Sequence, residues 1–230
     1  MLPSDNLIVA AKMEDDVSYL EVYIYEPAED NLYVHHDIML SNPPLCVEWL
    51  DFDCNTSSED DGSGRGNMAA IGTFDPDIEI WDLDVVDAPL PALFLGAAAT
   101  PKEKKKGKKR RTVNDEYHVD AIMSLSANRL QRNLLLSGSA DTTIKLWDLK
   151  DGSRKSCVQS YRLHSDKVSG LHWHPKEAYI ALTGSYDKGV YAADIRTKDG
   201  KGAKWTVSSD VEGVRWNPHD SNYFYVYCPK

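Results

Sequence analysis

The sequence contains no apolar run that approaches the roughly 20 residues needed for a membrane-spanning helix. Its longest apolar stretches, such as NLIVAA at 6–11 and NLLL at 133–136, are far shorter. Residues 1–12 also lack the basic and then apolar order of a secretory signal peptide. We therefore predict an intracellular protein without a membrane partner.

Cysteine is scarce, and the four cysteines lie far apart without a CxxC pair: Cys46, Cys54, Cys157 and Cys228. This spacing favours neither a zinc ribbon nor a disulfide framework. We expect reduced, structural thiols.

Motifs of catalysis are absent as well. The sequence has no glycine-rich phosphate loop, no Walker pattern and no nucleophile elbow, and no pair of carboxylates stands out from the acidic background. These absences predict a protein that is not an enzyme and that has no catalytic residues, no cofactor and no small-molecule substrate.

The charge of the chain is strongly uneven. The net charge is −10, from 26 basic and 36 acidic residues, yet residues 102–111 (KEKKKGKKRR) hold eight Lys or Arg and one Glu. The remainder of the chain has 18 basic and 35 acidic residues, a net charge of −17. Because an acidic body repels phosphate backbones, a nucleic-acid contact is expected only at this basic arm or at a local patch.

A repeat is the main feature that is present. Three segments share a small polar start, an Asp, an alternating strand and a final Asp-hydrophobic pair: GTFDPDIEIWDL (72–83), SGSADTTIKLWDL (137–149) and TGSYDKGVYAADI (183–195). His118 and His164 precede the last two and lie 46 residues apart, as Trp147 and Ala193 do. That period is close to the roughly 40–45 residues of a WD blade.

The residue types of the second repeat predict a buried polar relay. A buried Trp N–H needs an acceptor, and we expect Trp147 to donate to Ser137, with His118 and Asp141 completing the network. Ser137, His118 and Asp141 could also be arranged as a catalytic triad, but these residue types recur with Trp at blade spacing, so the structural interpretation is favoured.

The other two repeats are incomplete. The third has His164, Thr183 and Asp187, but Ala193 occupies the Trp position; the first has Trp81 and Asp75, but Leu40 stands where the His is expected. We therefore predict a complete relay in the second repeat alone.

The predicted fold is all-β: a partial WD-repeat β-propeller with three complete and two partial blades. The predicted divisions are a partial blade at 1–40, a blade at 41–100 with an acidic insertion at 53–67, a basic insertion at 101–117, blades at 118–163 and 164–208, and a partial blade at 209–230. Because propellers have about four to eight blades, we expect the chain to belong to a larger ring. The alternative is four-blade closure, in which residues 211–218 complete the first blade and leave the last strand as a spare edge.

Histidine pairs raise the question of a metal site. Adjacent strand residues point to opposite faces, so His35 and His36 are not expected to share an ion. His172 and His174 share a face, but no third ligand is near them in sequence. We predict no metal site.

Longer phrases carry a family resemblance. The stretches NLYVHHDIMLSNPPLCVEWLDFD (31–53), GTFDPDIEIWDLDVVDAP (72–89), HVDAIMSLS (118–126), LLSGSADTTIKLWDL (135–149) and VSGLHWHP (168–175) resemble the first periodic tryptophan protein family of eukaryotes, which is a WD-repeat family. The resemblance spans nearly the whole chain. The sequence lacks the acidic N-terminal extension and the further C-terminal blades of that family.

The resemblance implies a non-enzymatic scaffold in the nucleus and nucleolus that serves large-subunit ribosome assembly and ribosomal RNA processing. The implied partners are ribosome-assembly proteins and pre-ribosomal RNA. The alternative is a chromatin protein that binds histones on its acidic surface and regulates ribosomal RNA genes.

The basic arm supplies the candidate binding residues: Lys104, Lys105, Lys106, Lys108, Lys109, Arg110 and Arg111. Such a run is typical of a nuclear import signal or of an RNA contact, and a solvated loop is the plain alternative.

Overall fold

The computed structural model describes residues 5–54, 65–97 and 112–229. The basic arm residues 104–111 and most of the acidic insertion at 53–67 lie outside these ranges. Within them the chain forms 17 β-strands and one short 3-10 helix, Leu149–Asp151.

The strands form five antiparallel sheets that follow one another along the chain. Sheet 1 contains β1 (Asn6–Glu14), β2 (Val17–Glu26) and β3 (Asn31–Leu40). Sheet 2 contains β4 (Pro44–Phe52), β5 (Arg65–Thr73), β6 (Ile78–Asp82) and β7 (Leu93–Leu95).

Sheet 3 contains β8 (Ile122–Ala127), β9 (Leu134–Ser139), β10 (Ile144–Asp148) and β11 (Cys157–Tyr161). Sheet 4 contains β12 (Val168–Trp173), β13 (Ile180–Ser185), β14 (Gly189–Asp194) and β15 (Gly202–Thr206). Sheet 5 contains β16 (Gly213–Trp216) and β17 (Phe224–Tyr227). Three four-stranded sheets flanked by a three-stranded and a two-stranded sheet confirm the predicted partial propeller.

The core lies between neighbouring sheets. One buried cluster joins Leu50 and Ile80 of sheet 2 to Leu125 and Trp147 of sheet 3, and three further clusters join the other neighbours in the same way. The strands alternate to suit this packing: along β2 every second residue from Ser18 to Ile24 is buried. Face-to-face packing of the sheets thus removes the apolar positions from water.

Glycine permits the closest approach between sheets. A Cβ on Gly138 of β9 would lie 2.6 Å from Cγ1 of Val168, and one on Gly184 of β13 would lie 2.6 Å from Cγ1 of Val211. These positions explain the glycine of the SGS and TGS segments, because any side chain there would push the next sheet away.

The end strands show how the partial blades pair. Among the described residues, β1 pairs with β2 and β16 pairs with β17. Residues 213–216 therefore begin a separate fifth sheet and do not complete sheet 1, so the four-blade alternative is not the arrangement of the described chain.

Candidate functional site

The polar relay of sheet 3 is built by β9, β10, the turn between them and the segment that precedes β8. Trp147 Nε1 donates to Ser137 Oγ at 2.8 Å, and Ser137 Oγ lies 2.7 Å from His118 Nε2. His118 Nδ1 lies 3.0 Å from Asp141 Oδ2. The structure therefore brings together all four residues that the sequence singles out.

A neutral His118 fits every contact of this network. Burial lowers the pKa of His118 despite the hydrogen bond to Asp141. With the proton on Nδ1, the imidazole donates to Asp141 and accepts from the Ser137 hydroxyl through Nε2, so each donor is used once. The direction of the hydrogen bonds is Trp147 to Ser137 to His118 to Asp141.

Asp141 is held as a carboxylate. Burial alone would raise its pKa, but hydrogen bonds from His118 and Thr143 more than offset this and leave the pKa of Asp141 below its ordinary value. The backbone N–H of Val119 also donates to Oδ2, at 3.0 Å. The network therefore ties the segment before β8 to the β9–β10 turn.

The same atoms have the order of a catalytic triad, but their surroundings exclude that chemistry. Ser137 is fully buried, His118 is 1% exposed, and the Ser137 oxygen already accepts from Trp147. A nucleophile must reach its substrate. The arrangement supports packing rather than catalysis.

Sheet 4 keeps part of the relay. His164 Nε2 lies 2.9 Å from Thr183 Oγ1, and His164 Nδ1 lies 3.1 Å from Asp187. Ala193 occupies the Trp position, and the ring of Tyr191, two residues earlier on β14, packs edge-on against His164 with the centroids 4.9 Å apart. A ring contact thus stands where sheet 3 has a Trp hydrogen bond.

In sheet 2 the acceptor of the buried Trp N–H is a residue that the repeat pattern did not predict. Trp81 Nε1 donates to Glu79 Oε2 at 2.9 Å, and Ser41 Oγ donates to Glu79 Oε1 at 3.0 Å. Ile71 pairs with Glu79, as Ser137 pairs with Lys145 in sheet 3, so no hydroxyl is available there. The signal in the sequence was an acidic residue inside the apolar strand IEIWD.

The segment that follows the basic arm is fastened to sheet 3. Lys145, which is fully buried, donates to the backbone oxygen of Asn114 at 2.7 Å and to Ser160 Oγ at 2.9 Å. Arg162 contacts Asp115 at 3.0 Å. The arm residues themselves, Lys104, Lys105, Lys106, Lys108, Lys109, Arg110 and Arg111, lie outside the described residues.

The two histidine pairs differ from expectation in one respect. The expectation that His35 and His36 point apart is wrong: a β-bulge in the pairing of β2 with β3 places their Nδ1 atoms 2.8 Å apart. His172 Nδ1 accepts from the backbone of Trp216, and His174 Nδ1 from that of Glu177, so both of these nitrogens are occupied. Across residues 5–54, 65–97 and 112–229 no group of three metal-ligating side chains occurs.

The inner strands of sheets 2 to 5 border an open cavity of about 270 Å3, lined by Cys46, Met123, Leu125, Ser169, Arg215 and Tyr225 among others. Burial raises the pKa of Cys46 to about 12, so its thiol is not an activated nucleophile. Burial lowers the pKa of His172 to about 4, aided by the charges of Arg215 and Arg129.

No helix in the described part of the chain is long and apolar enough to cross a membrane.

The loops at the two ends of sheets 3 and 4 have opposite net charges. Connections 128–133, 149–156, 174–179 and 195–201 open on one side, because they join the first strand to the second and the third to the fourth in antiparallel sheets. They hold nine Lys or Arg and three acidic residues. We call this side the basic face.

The opposite side is formed by residues 112–121, 140–143, 162–167, 186–188 and 207–212. These stretches hold three Lys or Arg and eight acidic residues, and the first of them follows the basic arm in the connection from β7 to β8. We call this side the acidic face.

Comparison with known proteins identifies the repeats. The WD40 family (WD domain, G-beta repeat) matches residues 109–148 and 155–192. A WD repeat-containing protein of Schizosaccharomyces pombe is 52% identical over 226 residues, which are 98% of this chain and 42% of that protein. Periodic tryptophan protein 1 of Saccharomyces cerevisiae is 43% identical over 230 residues, covering 86% of this chain and 39% of that protein.

Two further similarities are more limited. The ribosome biogenesis protein WDR12 homolog of Ixodes scapularis is 37% identical over 79 residues, 34% of this chain and 18% of that protein. A chain in the crystal structure of the mitotic checkpoint complex matches with a TM-score of 0.60 and 20% identity, covering 91% of this chain and 55% of that chain. At this sequence identity the match supports the fold alone.

The chain spans less than half the length of the sequence relatives it matches. The repeats, the five sheets and the similarity over nearly all of its residues agree with one another. The chain therefore belongs to the WD-repeat proteins with a β-propeller fold, and within them it is similar to periodic tryptophan protein 1.

Proposed function

We propose that this chain acts as a non-enzymatic scaffold in ribosome biogenesis, in large-subunit assembly and ribosomal RNA processing in the nucleolus. The observation that carries the proposal is its similarity to periodic tryptophan protein 1 over nearly its whole length, together with a shorter match to a protein named for ribosome biogenesis. Rigid sheets that present loops on two faces suit the binding of several macromolecules at once.

The burial of the relay supports a role without catalysis. The groups of the chain that most resemble catalytic machinery, Ser137, His118 and Asp141, are enclosed by sheet packing and satisfied by hydrogen bonds. Polar groups used in this way hold a fold together. The surfaces outside the core are then what partners contact.

The proposed partners are ribosome-assembly proteins and pre-ribosomal RNA. The test is to purify the tagged chain from cells with and without RNase, and to identify bound proteins by mass spectrometry and bound RNA by sequencing. We expect large-subunit precursor RNA and assembly factors. Recovery of neither, with the protein outside the nucleolus, would refute the proposal.

The basic arm is proposed to serve nuclear import or RNA binding. The variant replaces Lys104, Lys105, Lys106, Lys108, Lys109, Arg110 and Arg111 with Gln, and a smaller control replaces Lys167 and Lys188, which lie outside the arm, with Gln. A severalfold loss of nuclear accumulation would support import. Normal accumulation with less precursor RNA would support an RNA contact, and no change in either would refute both.

The acidic face favours a second candidate function, the binding of basic histone tails. Reversing Asp166 and Asp210 to Lys should weaken the binding of a histone-tail peptide to the purified chain. Reversing Glu177 and Asp199 on the basic face should not. Equal weakening by both sets would show that only net charge matters.

A further inference from the structure

An exposed row of aromatic and arginine side chains crosses sheets 2, 3 and 4 beside the basic face. Arg129 lies over the Trp49 ring, 5.2 Å from its centroid. Gln131 Nε2 donates to Tyr179 Oη at 2.8 Å, and Arg196 lies over the Tyr179 ring, 5.1 Å from its centroid. We call these five residues the Arg–aromatic ridge.

The ridge is held in place by hydrogen bonds from below. Asn128 Oδ1 accepts from the backbone of Leu130 and Gln131, and Asn128 Nδ2 donates to the oxygen of Ala178 in the next sheet at 2.8 Å. Trp49 Nε1 donates to Asn67 Oδ1 at 3.0 Å. The loops that carry the ridge are therefore fixed to each other, which lowers the entropy cost of binding a partner.

The rings are open to solvent in a way that packing does not explain. Trp49 is 43% exposed and Tyr179 is 39% exposed, and Leu130 between them is 51% exposed. Exposed aromatic and arginine side chains are enriched where proteins bind other molecules. The ridge is thus a recognition surface by composition and by exposure.

The charge around the ridge indicates a polyanion. Arg129 Nη2 lies 3.8 Å from Glu48 Oε1, and Arg196 Nη2 lies 2.6 Å from Asp194 Oδ2. These carboxylates therefore partly neutralise the two arginines. The four loops of the basic face also carry exposed lysines: Lys150, Lys155, Lys176, Lys198 and Lys201. The four loops have six more basic than acidic residues in a chain whose net charge is −10.

We propose that the Arg–aromatic ridge binds single-stranded RNA. Bases stack with the exposed rings of Trp49 and Tyr179, and the lysines of the basic face contact the phosphates, as in stacking platforms for unpaired nucleic acid. An acidic peptide would use the lysines but would not need two rings set in a row across sheets. The inference deepens the proposed function, on which it rests only for the identity of the RNA in cells.

The test is binding of a fluorescent oligouridine of about 12 nucleotides to the purified chain, measured by anisotropy. All proteins carry the basic arm replaced by Gln, so that RNA held by the arm is not counted. Replacing Trp49 and Tyr179 with Ala should weaken binding by at least about tenfold. Trp49→Phe with Tyr179→Phe should retain most of the affinity, because Phe still stacks.

Matched charge reversals separate the two faces. Lys198→Glu with Lys201→Glu should weaken binding and reduce its salt dependence, whereas Lys167→Glu with Lys188→Glu on the acidic face changes the net charge equally and should weaken it much less. Circular dichroism and thermal melting check that each variant is folded.

Two results would overturn the inference: unchanged RNA binding in the folded Ala variants, or equal losses from both charge reversals. Oligoglutamate that binds as tightly as oligouridine would assign the surface to acidic peptides instead. Failure of the proposed function is a separate result. The purified chain could bind RNA through the ridge while no ribosomal precursor is recovered from cells. That result would support the RNA-binding surface and refute the role in ribosome assembly.

Discussion

Sheets 2 and 3 have the same strand order and both bury a Trp on their third strand, but they satisfy its N–H differently. In sheet 3 the acceptor is Ser137 on the neighbouring strand, backed by His118 and Asp141. In sheet 2 it is Glu79 on the Trp's own strand, supported by Ser41. The fold therefore requires an acceptor for the N–H of the buried Trp and does not require one particular relay.

The largest effect is expected from Trp147→Ala. The substitution empties a fully buried site between sheets 2 and 3 and should lower the free energy of unfolding by about 3–5 kcal/mol. Urea denaturation followed by circular dichroism measures it. Trp205→Ala is the control, because Trp205 is 42% exposed, and a similar loss there would contradict the assignment of Trp147 to the core.

Ser137→Ala should have the next largest effect. It leaves the Trp147 N–H and His118 Nε2 buried without partners and should cost about 2–4 kcal/mol, with little change in volume. The same denaturation experiment applies. Ser137→Thr keeps the hydroxyl and is the control for the hydrogen bonds; equal losses in both variants would show that the hydroxyl alone does not account for the stability of this site.

Glu79→Ala in sheet 2 should cost less, about 1–3 kcal/mol. It removes the acceptor of the buried Trp81 N–H, but exposed Ser41 can turn to water. Glu79→Gln retains an acceptor oxygen and should recover part of the loss. If Glu79→Ala were neutral, the proposed equivalence of the two sheets would fail.

The smallest effect is a dependence of stability on pH. Because burial lowers the pKa of His118, the unfolded chain takes up a proton near pH 6.5 that the folded chain resists. The contribution of His118 to the free energy of unfolding is present above pH 6.5 and declines as the pH falls. The lowered pKa of Asp141 acts in the same direction, at lower pH.

Thermal melting between pH 7.5 and 5 measures this dependence. His118→Gln should reduce the slope of melting temperature against pH, whereas His219→Gln, on an exposed loop, should leave it unchanged. An unaltered slope in the His118 variant would assign the dependence to the other buried histidines.

Much of the fold was predictable because it depends on local patterns. Alternating residues and tight turns fix the strands, and the 46-residue spacing of His118 and His164 fixes their grouping into sheets. The relay of sheet 3 was predictable for the same reason, since the types and the spacing of its four residues occur in the repeat. The acceptor in sheet 2 was missed because Glu79 breaks the repeat.

The bulge at His35 and His36 was also beyond the sequence pattern. An extra residue in β3 reverses the direction of one side chain, and only the pairing with β2 shows where it falls. A rule of strict alternation therefore predicted the wrong orientation for these two rings.

The sequence by itself determined the all-β repeat, the buried Trp positions and the concentration of positive charge in one arm, because each depends on residues close together in the chain. The tertiary structure decided which residues meet across sheets: Asn128 with Ala178, Trp49 with Arg129, and Gln131 with Tyr179. It also placed a basic and an acidic set of loops at opposite ends of sheets 3 and 4. Such contacts join residues about 50 to 80 positions apart along the chain, and only the packing of one sheet on the next brings them together.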